Sequence, residues 1–284
     1  IINRDSSLGD ETHNKVLFRL EPKAYIGDSG WTANARLDYE MNLSSDENND
    51  GVLVDRAWVE GPLFGATVQA GRVPLFTAQG MIFDDEISGM TANFGSDVFN
   101  TNIAIGRYSE NDHDGEIPDG KTAKDITADY YGVQFDYQAT DKIAANAGFT
   151  TFRGWEDSSN DSNIWTVGGS YAFDSNVKLV GQYAEDTEAD AFEKAGIVEV
   201  QYKGTDVADA GSWGAYAGYR HLGENAAIAP TYDDASRNQK GYVVGASYVP
   251  AENILATIEY FDGKDMATDT DASKFFANVD FFFW

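Results

Sequence analysis

The chain has 284 residues, 47 acidic against 20 basic side chains, and a formal net charge of −27 at pH 7. This charge argues against a nucleic-acid partner, because a phosphate backbone would be repelled. The absence of cysteine excludes a disulfide framework, a thiolate metal site and a cysteine nucleophile. No stretch approaches the roughly 18 consecutive apolar residues of a membrane-spanning helix.

The first elements of the chain alternate apolar and polar side chains. In residues 15–26, Val16, Phe18 and Leu20 share one face, while polar side chains occupy most of the other. After a short turn at 27–30, residues 31–43 alternate in the same way. Alternation over about 12 residues exceeds the usual ~5–6 residues of a soluble strand. It suits a tilted strand that crosses a bilayer.

Similar segments follow to the end of the chain, and their connections alternate between short turns and longer polar stretches. This arrangement is typical of an up-and-down barrel in an outer membrane. The sequence therefore predicts an all-β protein, a single closed antiparallel transmembrane β-barrel over residues 1–284. The sixteen predicted strands are 1–4, 15–26, 31–43, 52–61, 65–73, 86–94, 98–108, 129–139, 143–152, 163–173, 177–185, 195–204, 211–220, 239–249, 253–262 and 273–284.

Aromatic residues on the apolar face are placed at both ends of the predicted strands. Trp213 and Tyr248 lie next to short turns, and Tyr219 and Tyr260 lie toward long connections, with small aliphatic residues between. Two aromatic belts around an aliphatic band match the two interfaces of a membrane. The alternative, a soluble β-sandwich, would have shorter strands and no such regular placement.

The negative charge is concentrated in the long connections. By the predicted boundaries these connections hold 27 acidic and 6 basic residues, whereas the strands are neutral. Because alternate connections of an up-and-down barrel lie on the same side, we expect a strongly acidic mouth.

These features together resemble the general diffusion porins of Gram-negative outer membranes, sixteen-stranded barrels that assemble as trimers. The aromatic end of the chain, residues 275–284, is similar to the last strand of that family. Trp284 departs from the pattern, because it lies one residue beyond the outward-facing positions that include Phe281 and Phe283. The third long connection, about 74–86, contains Phe76, Met81, Ile82 and Phe83. The resemblance implies that it folds into the barrel, packs these side chains against the inner wall and narrows the channel.

The resemblance also implies a basic wall that faces an acidic edge of this inward segment. Arg72 and Arg107 each follow a glycine and need a local distortion to reach the lumen. The alternative for Arg19 and Arg36 is a bracing role, because Arg19 would face Asp38 and Arg36 would face Glu21 across the strands. Lys23, opposite Asn34, and Arg56 are then the expected free positive charges. The predicted basic wall is Arg19, Lys23, Arg36, Arg56, Arg72 and Arg107, and the predicted acidic edge is Asp84, Asp85 and Glu86.

The predicted function is passive diffusion of small hydrophilic solutes and ions, with a preference for cations and without a cofactor. Residues 46–51 begin like a calcium loop. A weak calcium site at Asp46, Asn48 and Asp50 is an alternative to a plain acidic turn, because the residue that would complete the loop is Ala57.

Several alternatives stay open at this point. A substrate-specific channel for sugars or peptides would line its lumen with a track of rings, which is absent here. We expect no enzyme, because all three histidines, His13, His113 and His221, fall in predicted loops. Expected partners are two further copies of the chain, outer-membrane lipid and lipopolysaccharide. The chain begins at Ile1 without a leader, so we expect it to be processed or trimmed. Residues 31–37 and 55–61 resemble porins of Gram-negative Firmicutes that carry an S-layer-homology domain, which implies a peptidoglycan tether in a missing N-terminal region.

Overall fold

The computed structural model describes residues 1–5, 11–43, 51–109, 126–154 and 161–283. No helix in these ranges is long and apolar enough to span a bilayer. The only helical element among them is a single 3-10 turn at Ala78–Gly80. The strands are β1 (Ile2–Asp5), β2 (Glu11–Leu20), β3 (Lys23–Tyr25), β4 (Thr32–Asn42), β5 (Leu53–Leu63), β6 (Ala66–Thr77), β7 (Phe83–Gly95), β8 (Phe99–Ser109), β9 (Thr127–Gln138), β10 (Ile143–Arg153), β11 (Ser162–Ala172), β12 (Val177–Asp186), β13 (Lys194–Gly204), β14 (Trp213–Leu222), β15 (Gln239–Ala251), β16 (Ile254–Asp265) and β17 (Asp271–Phe281).

All of these strands belong to one antiparallel sheet in which sequence neighbours pair. β1 pairs with both β2 and β17, so the successive pairings lead from β1 through the sheet and back to β1. β2 and β3 both pair with β4 and are separated only by Glu21 and Pro22. They form one strand that is interrupted where proline cannot donate a hydrogen bond. The prediction of an all-β fold with sixteen antiparallel strands is confirmed.

Several predicted strand boundaries are wrong. β2 begins at Glu11, within a stretch predicted as a loop. β6 continues to Thr77, and β7 begins at Phe83. The predicted long connection at 74–85 is therefore mostly strand, because the two-residue period continues through it. Val73 and Leu75 are buried, whereas Phe76, the residue that follows Leu75 in the strand, is 56% exposed.

The outer face of the sheet exposes its apolar side chains. Rings form rows toward both ends of the strands. Tyr202 lies 5.6 Å from Trp213 in one row, and Tyr219 lies 5.2 Å from Tyr242 in the other. Exposed aliphatic residues such as Val200 lie between the rows. An aliphatic band between two aromatic rows is the surface that a lipid bilayer favours.

The buried apolar residues lie on the opposite, inner face of the sheet. They include Tyr108, Tyr130 and Phe152 from the wall and Met81 and Phe83 from the β6–β7 turn. The main apolar cluster thus joins the wall to segments that enter the interior.

Candidate channel constriction

The tip of the β6–β7 hairpin leaves the wall and enters the interior. β6 pairs with β5 only as far as Arg72, opposite Ala57, and β7 pairs with β8 only as far as Ser88, opposite Arg107. Beyond these points β6 and β7 no longer pair with the neighbouring strands of the wall, and they pair with each other up to Thr77 opposite residue 83. We call residues 73–87 the inward hairpin.

Glycines allow the close strand approach at the base of the inward hairpin. Gly71 has a φ of +133°, and a Cβ there would lie 2.4 Å from the carbonyl oxygen of Ala57. A Cβ at Gly89 would lie 2.1 Å from the carbonyl oxygen of Ile105. Larger residues at either position would push the neighbouring strand away.

The inward hairpin packs against the inner wall through its tip. Met81, Ile82 and Phe83 are fully buried. The ring centroid of Phe83 lies 4.8 Å from that of Tyr108, and lies 5.8 Å and 5.9 Å from the rings of Tyr130 and Phe152.

The tip is also fixed by a polar contact to the wall, in which the backbone N–H of Ala78 donates to Oε1 of Gln134 at 2.9 Å. Phe76, which we expected to pack against the wall, is exposed instead.

A second segment, residues 223–238 between β14 and β15, also enters the interior. We call it the inward loop. Ala229 forms a parallel bridge with Phe83, and Ala226, Ala227 and Ile228 are buried. Sequence reasoning treated this segment as an ordinary long polar connection. The apolar run at 226–230 was the available signal.

Basic and acidic side chains face each other across a cavity of about 270 Å³ between the wall and these two segments. Arg19, Arg36 and Arg56 line it from the wall, and Asp84 and Asp85 line it from the inward hairpin. The structure therefore brings together five of the nine residues predicted for the basic wall and acidic edge.

The predicted cross-strand pairs of the wall are confirmed. Arg19 donates to Asp38 through both Nε and Nη2, at 2.8 Å and 2.6 Å. Arg36 lies 2.7 Å from Glu21. Both arginines brace the wall and also line the cavity, so the two roles considered for them coincide.

Arg56 is not the free positive charge that the sequence predicted. A register shift between β4 and β5 places both Asp55 and Arg56 opposite Arg36, which is a β-bulge. Nε of Arg56 lies 3.3 Å from the carboxylate of Asp55 and also 3.3 Å from that of Glu86. The available signal was a change of phase in the two-residue period, since the exposed residues Val52 and Val54 are followed by Ala57 and Val59, one position out of step.

Glu86 is buried and ion-paired rather than presented to the lumen. It accepts hydrogen bonds from Arg72 and from Arg56 at the point where the inward hairpin leaves the wall. Its pairing neutralises the charge that was expected at the acidic edge. Arg72 reaches this carboxylate next to Gly71, whose unusual φ supplies the expected local distortion.

The two remaining predicted basic residues do not line the cavity. Arg107 is 66% exposed, lies 3.6 Å from Asp129 and shares the outer phase of Ile105, so its predicted lumen position is wrong. Gly106 does not turn the side chain of Arg107 toward the interior, because the pairing register of β8 and β9 is continuous through Arg107. Lys23 is opposite Asn34, as predicted. Within the described residues it has no ion-pair partner.

A second cavity of about 360 Å³ is lined in part by Thr231 and Tyr232 of the inward loop. Its charged lining consists of Arg220 against the carboxylates of Glu199, Asp233, Asp234 and Glu259. Enclosure by surrounding protein raises the pKa of the Asp233 carboxyl, and the neighbouring carboxylate of Asp234 adds to this effect. With four carboxylates against one arginine, the lining of this cavity has an excess of acidic groups, in contrast to that of the first one.

The remaining predicted sites lie outside the described residues. The calcium alternative at Asp46, Asn48 and Asp50 and the terminal Trp284 fall outside them. The described ranges contain no group of three or more acidic or histidine side chains arranged to hold a metal ion. His13 and His221 lie in β2 and β14, not in loops as predicted.

Comparison with known proteins shows the fold. No family model and no curated protein matches the chain. Solved structures of mutants of the Rhodopseudomonas blastica porin do match. A triple mutant has a TM-score of 0.62 at 16% identity, and a second mutant has a TM-score of 0.61 at 15% identity. Each comparison covers 99% of this chain and 96% of the other. The chain thus has a porin-like β-barrel fold.

Proposed function

We propose that the protein is an outer-membrane channel of a Gram-negative bacterium, through which small hydrophilic solutes and ions diffuse passively. The observation that carries this proposal is the cavity lined by Arg19, Arg36, Asp84 and Asp85 inside a sheet whose outer face is apolar. A charged interior and an apolar exterior are the reverse of a soluble protein and suit a barrel in lipid. The likeness to porins supports the same proposal.

In this proposal the sheet closes into a barrel around a water-filled lumen. Solutes enter at the mouth, pass the constriction at the inward hairpin by restricted diffusion and leave down their concentration gradient. Transport then needs no covalent step and no cofactor. The inward hairpin sets the largest solute that passes. The weak calcium site at 46–50 remains an alternative to an acidic turn and has no role in transport.

We propose that the channel prefers cations. The predicted long connections carry 27 acidic and 6 basic residues, so the mouth would concentrate cations and deplete anions. At the constriction, Asp84 and Asp85 line the cavity. The positive charges of Arg19 and Arg36 are balanced by the wall carboxylates of Asp38 and Glu21. Salt would weaken the effect at the mouth most.

The proposed partners are two further copies of the chain, membrane lipid and lipopolysaccharide. Small side chains on the outer phase of the early strands, such as Ala35, Ala57 and Ala70, would allow close contact between copies. A peptidoglycan tether through an S-layer-homology region is a further proposal that rests on sequence resemblance alone.

Planar-bilayer recording tests the proposal. The purified chain is expected to insert and give ohmic channels, with steps in multiples of three for a trimer. Under a KCl gradient, the reversal potential is expected to have the sign of a cation-preferring pore. Absence of channels would refute the function, and anion selectivity at low salt would refute the preference.

A further inference from the structure

We propose that the inward loop, residues 223–238, is a second constriction element that divides the lumen into two openings beside the inward hairpin. This inference rests on the proposed channel function. It states that the inward loop and the inward hairpin together set the width of the pore.

The inward loop continues the hydrogen bonding of the inward hairpin. The N–H of Ala229 donates to the carbonyl of Ile82 at 2.9 Å, and its own carbonyl accepts from the N–H of Asp84 at 2.7 Å. The N–H of Thr231 donates to the carbonyl of Gly80 at 2.9 Å. The loop therefore adds a short third strand to the hairpin tip.

A side-chain contact strengthens this attachment. Oγ1 of Thr231 donates to Oδ2 of Asp84 at 2.6 Å. The same carboxylate lines the first cavity, so the inward loop also orients one of its acidic groups.

The other end of the inward loop is fixed to the wall by a buried ion pair. Nη2 of Arg220 in β14 lies 3.0 Å from Oδ2 of Asp234 and 2.9 Å from Glu199 in β13. The guanidinium lies 4.1 Å from the ring centroid of Tyr232, within the range of a cation–π contact. The hydroxyl of Tyr216 lies 3.1 Å from Asp234.

The loop is thus attached at two points, to the inward hairpin at Ala229 and Thr231 and to the wall at Asp234. A segment fixed at two points across the interior is a partition rather than a loose external loop.

Successive parts of the inward loop line the two cavities. Ala229 and Pro230 line the first one, of about 270 Å³, whereas Thr231, Tyr232 and Asp234 line the second, of about 360 Å³. The charged lining of the first is balanced, with three arginines and three aspartates, whereas the second has one arginine against four carboxylates. The inward loop therefore borders two environments of unequal charge.

Removal of the partition is expected to merge the two openings. The two openings already conduct in parallel, so removal of the loop adds only the cross-section that the loop itself occupies. We therefore expect a rise in single-channel conductance that is well below twofold. The exclusion limit for neutral sugars would rise with it.

The experiment compares wild-type protein with two variants of the loop. In the first, residues 226–236 are replaced by Gly-Ser-Gly. In the second, Ala229→Pro removes the N–H that donates to Ile82 and leaves the ion pair at Asp234 in place. The matched control is Ala208→Pro, which removes the N–H that donates to Asp206 in the turn between β13 and β14. This turn lies at the end of β14 opposite to the inward loop.

Single-channel conductance and liposome swelling in sugars of increasing size are measured, and a heat-dependent gel shift confirms folding. Higher conductance and a larger exclusion limit in the folded loop variants, with the control unchanged, support the inference. Wild-type conductance in a folded loop variant would overturn it. If the replacement variant does not fold, Ala229→Pro decides alone. Channel formation by the wild type tests the proposed function separately.

Discussion

Substitution of Phe83 by alanine tests whether the inward hairpin is held in place by its tip. The ring is fully buried and contacts three aromatic rings of the wall, with centroid distances of 4.8, 5.8 and 5.9 Å. Truncation of a buried phenylalanine costs about 3–5 kcal/mol, and part of this cost reflects lost ring–ring contacts. At about 1.4 kcal/mol for each factor of ten, docking of the tip should weaken by a factor between roughly 10² and several times 10³.

The loss should fall on the hairpin and not on the barrel. Residue 83 pairs with Thr77 and Ala229 and with no strand of the wall. We therefore expect Phe83→Ala to fold and insert, with higher mean conductance and larger current fluctuations as the tip detaches and returns.

The matched control is Phe64→Ala, at the turn between β5 and β6. The ring of Phe64 is 100% exposed, so its removal creates no cavity and should leave the conductance unchanged. Single-channel recording in planar bilayers is the assay. If Phe83→Ala gave the mean conductance and the current noise of the wild type, docking of the tip would not control the pore, and the reasoning would fail.

Three further predictions concern charge. Asp84→Asn combined with Asp85→Asn should reduce the cation preference in KCl reversal potentials, most clearly in high salt, where the loops are screened; an unchanged potential there would contradict a role for these carboxylates. Glu86→Gln leaves Arg72 without its buried partner, which should lower the thermal stability of the hairpin and shift selectivity toward anions; a wild-type melting curve and reversal potential would argue against the assigned ion pairs. Backbone N–H groups of the following residues lower the pKa of Asp174, so its contribution to stability is present above its unfolded pKa of about 3.9 and is lost as pH falls through the lower folded pKa. Asp174→Asn should therefore lower the melting temperature at pH 7 but not at pH 2, and equal effects at both would refute this cause.

The sequence was sufficient to predict the strands and part of the wall, because these depend on local patterns. A two-residue period fixes which face each side chain occupies. The turn at 27–30 fixes the register, which places Arg19 opposite Asp38 and Arg36 opposite Glu21. These pairings needed no knowledge of distant parts of the chain.

The features that the sequence did not predict depend on contacts between distant segments. Ala229 meets the hairpin tip across more than 140 residues, and nothing near it in sequence specifies that contact. The bulge at Asp55 changes the partners of Arg56 by one inserted residue. Likewise, the charge of Glu86 is neutralised because the inward hairpin leaves the wall beside Arg56. The point at which it leaves is set by where β6 and β7 stop pairing with their neighbouring strands.

Solute-size discrimination by reconstituted protein tests the central claim most directly. Liposomes that contain the purified chain are placed in isotonic solutions of sugars of increasing mass, and the rate of swelling is recorded by light scattering. A narrowed, water-filled path through the barrel predicts rapid swelling in small sugars, a steep decline with mass and none in large dextrans. Protein that inserts fully folded but leaves the liposomes impermeable to the smallest sugars would contradict it.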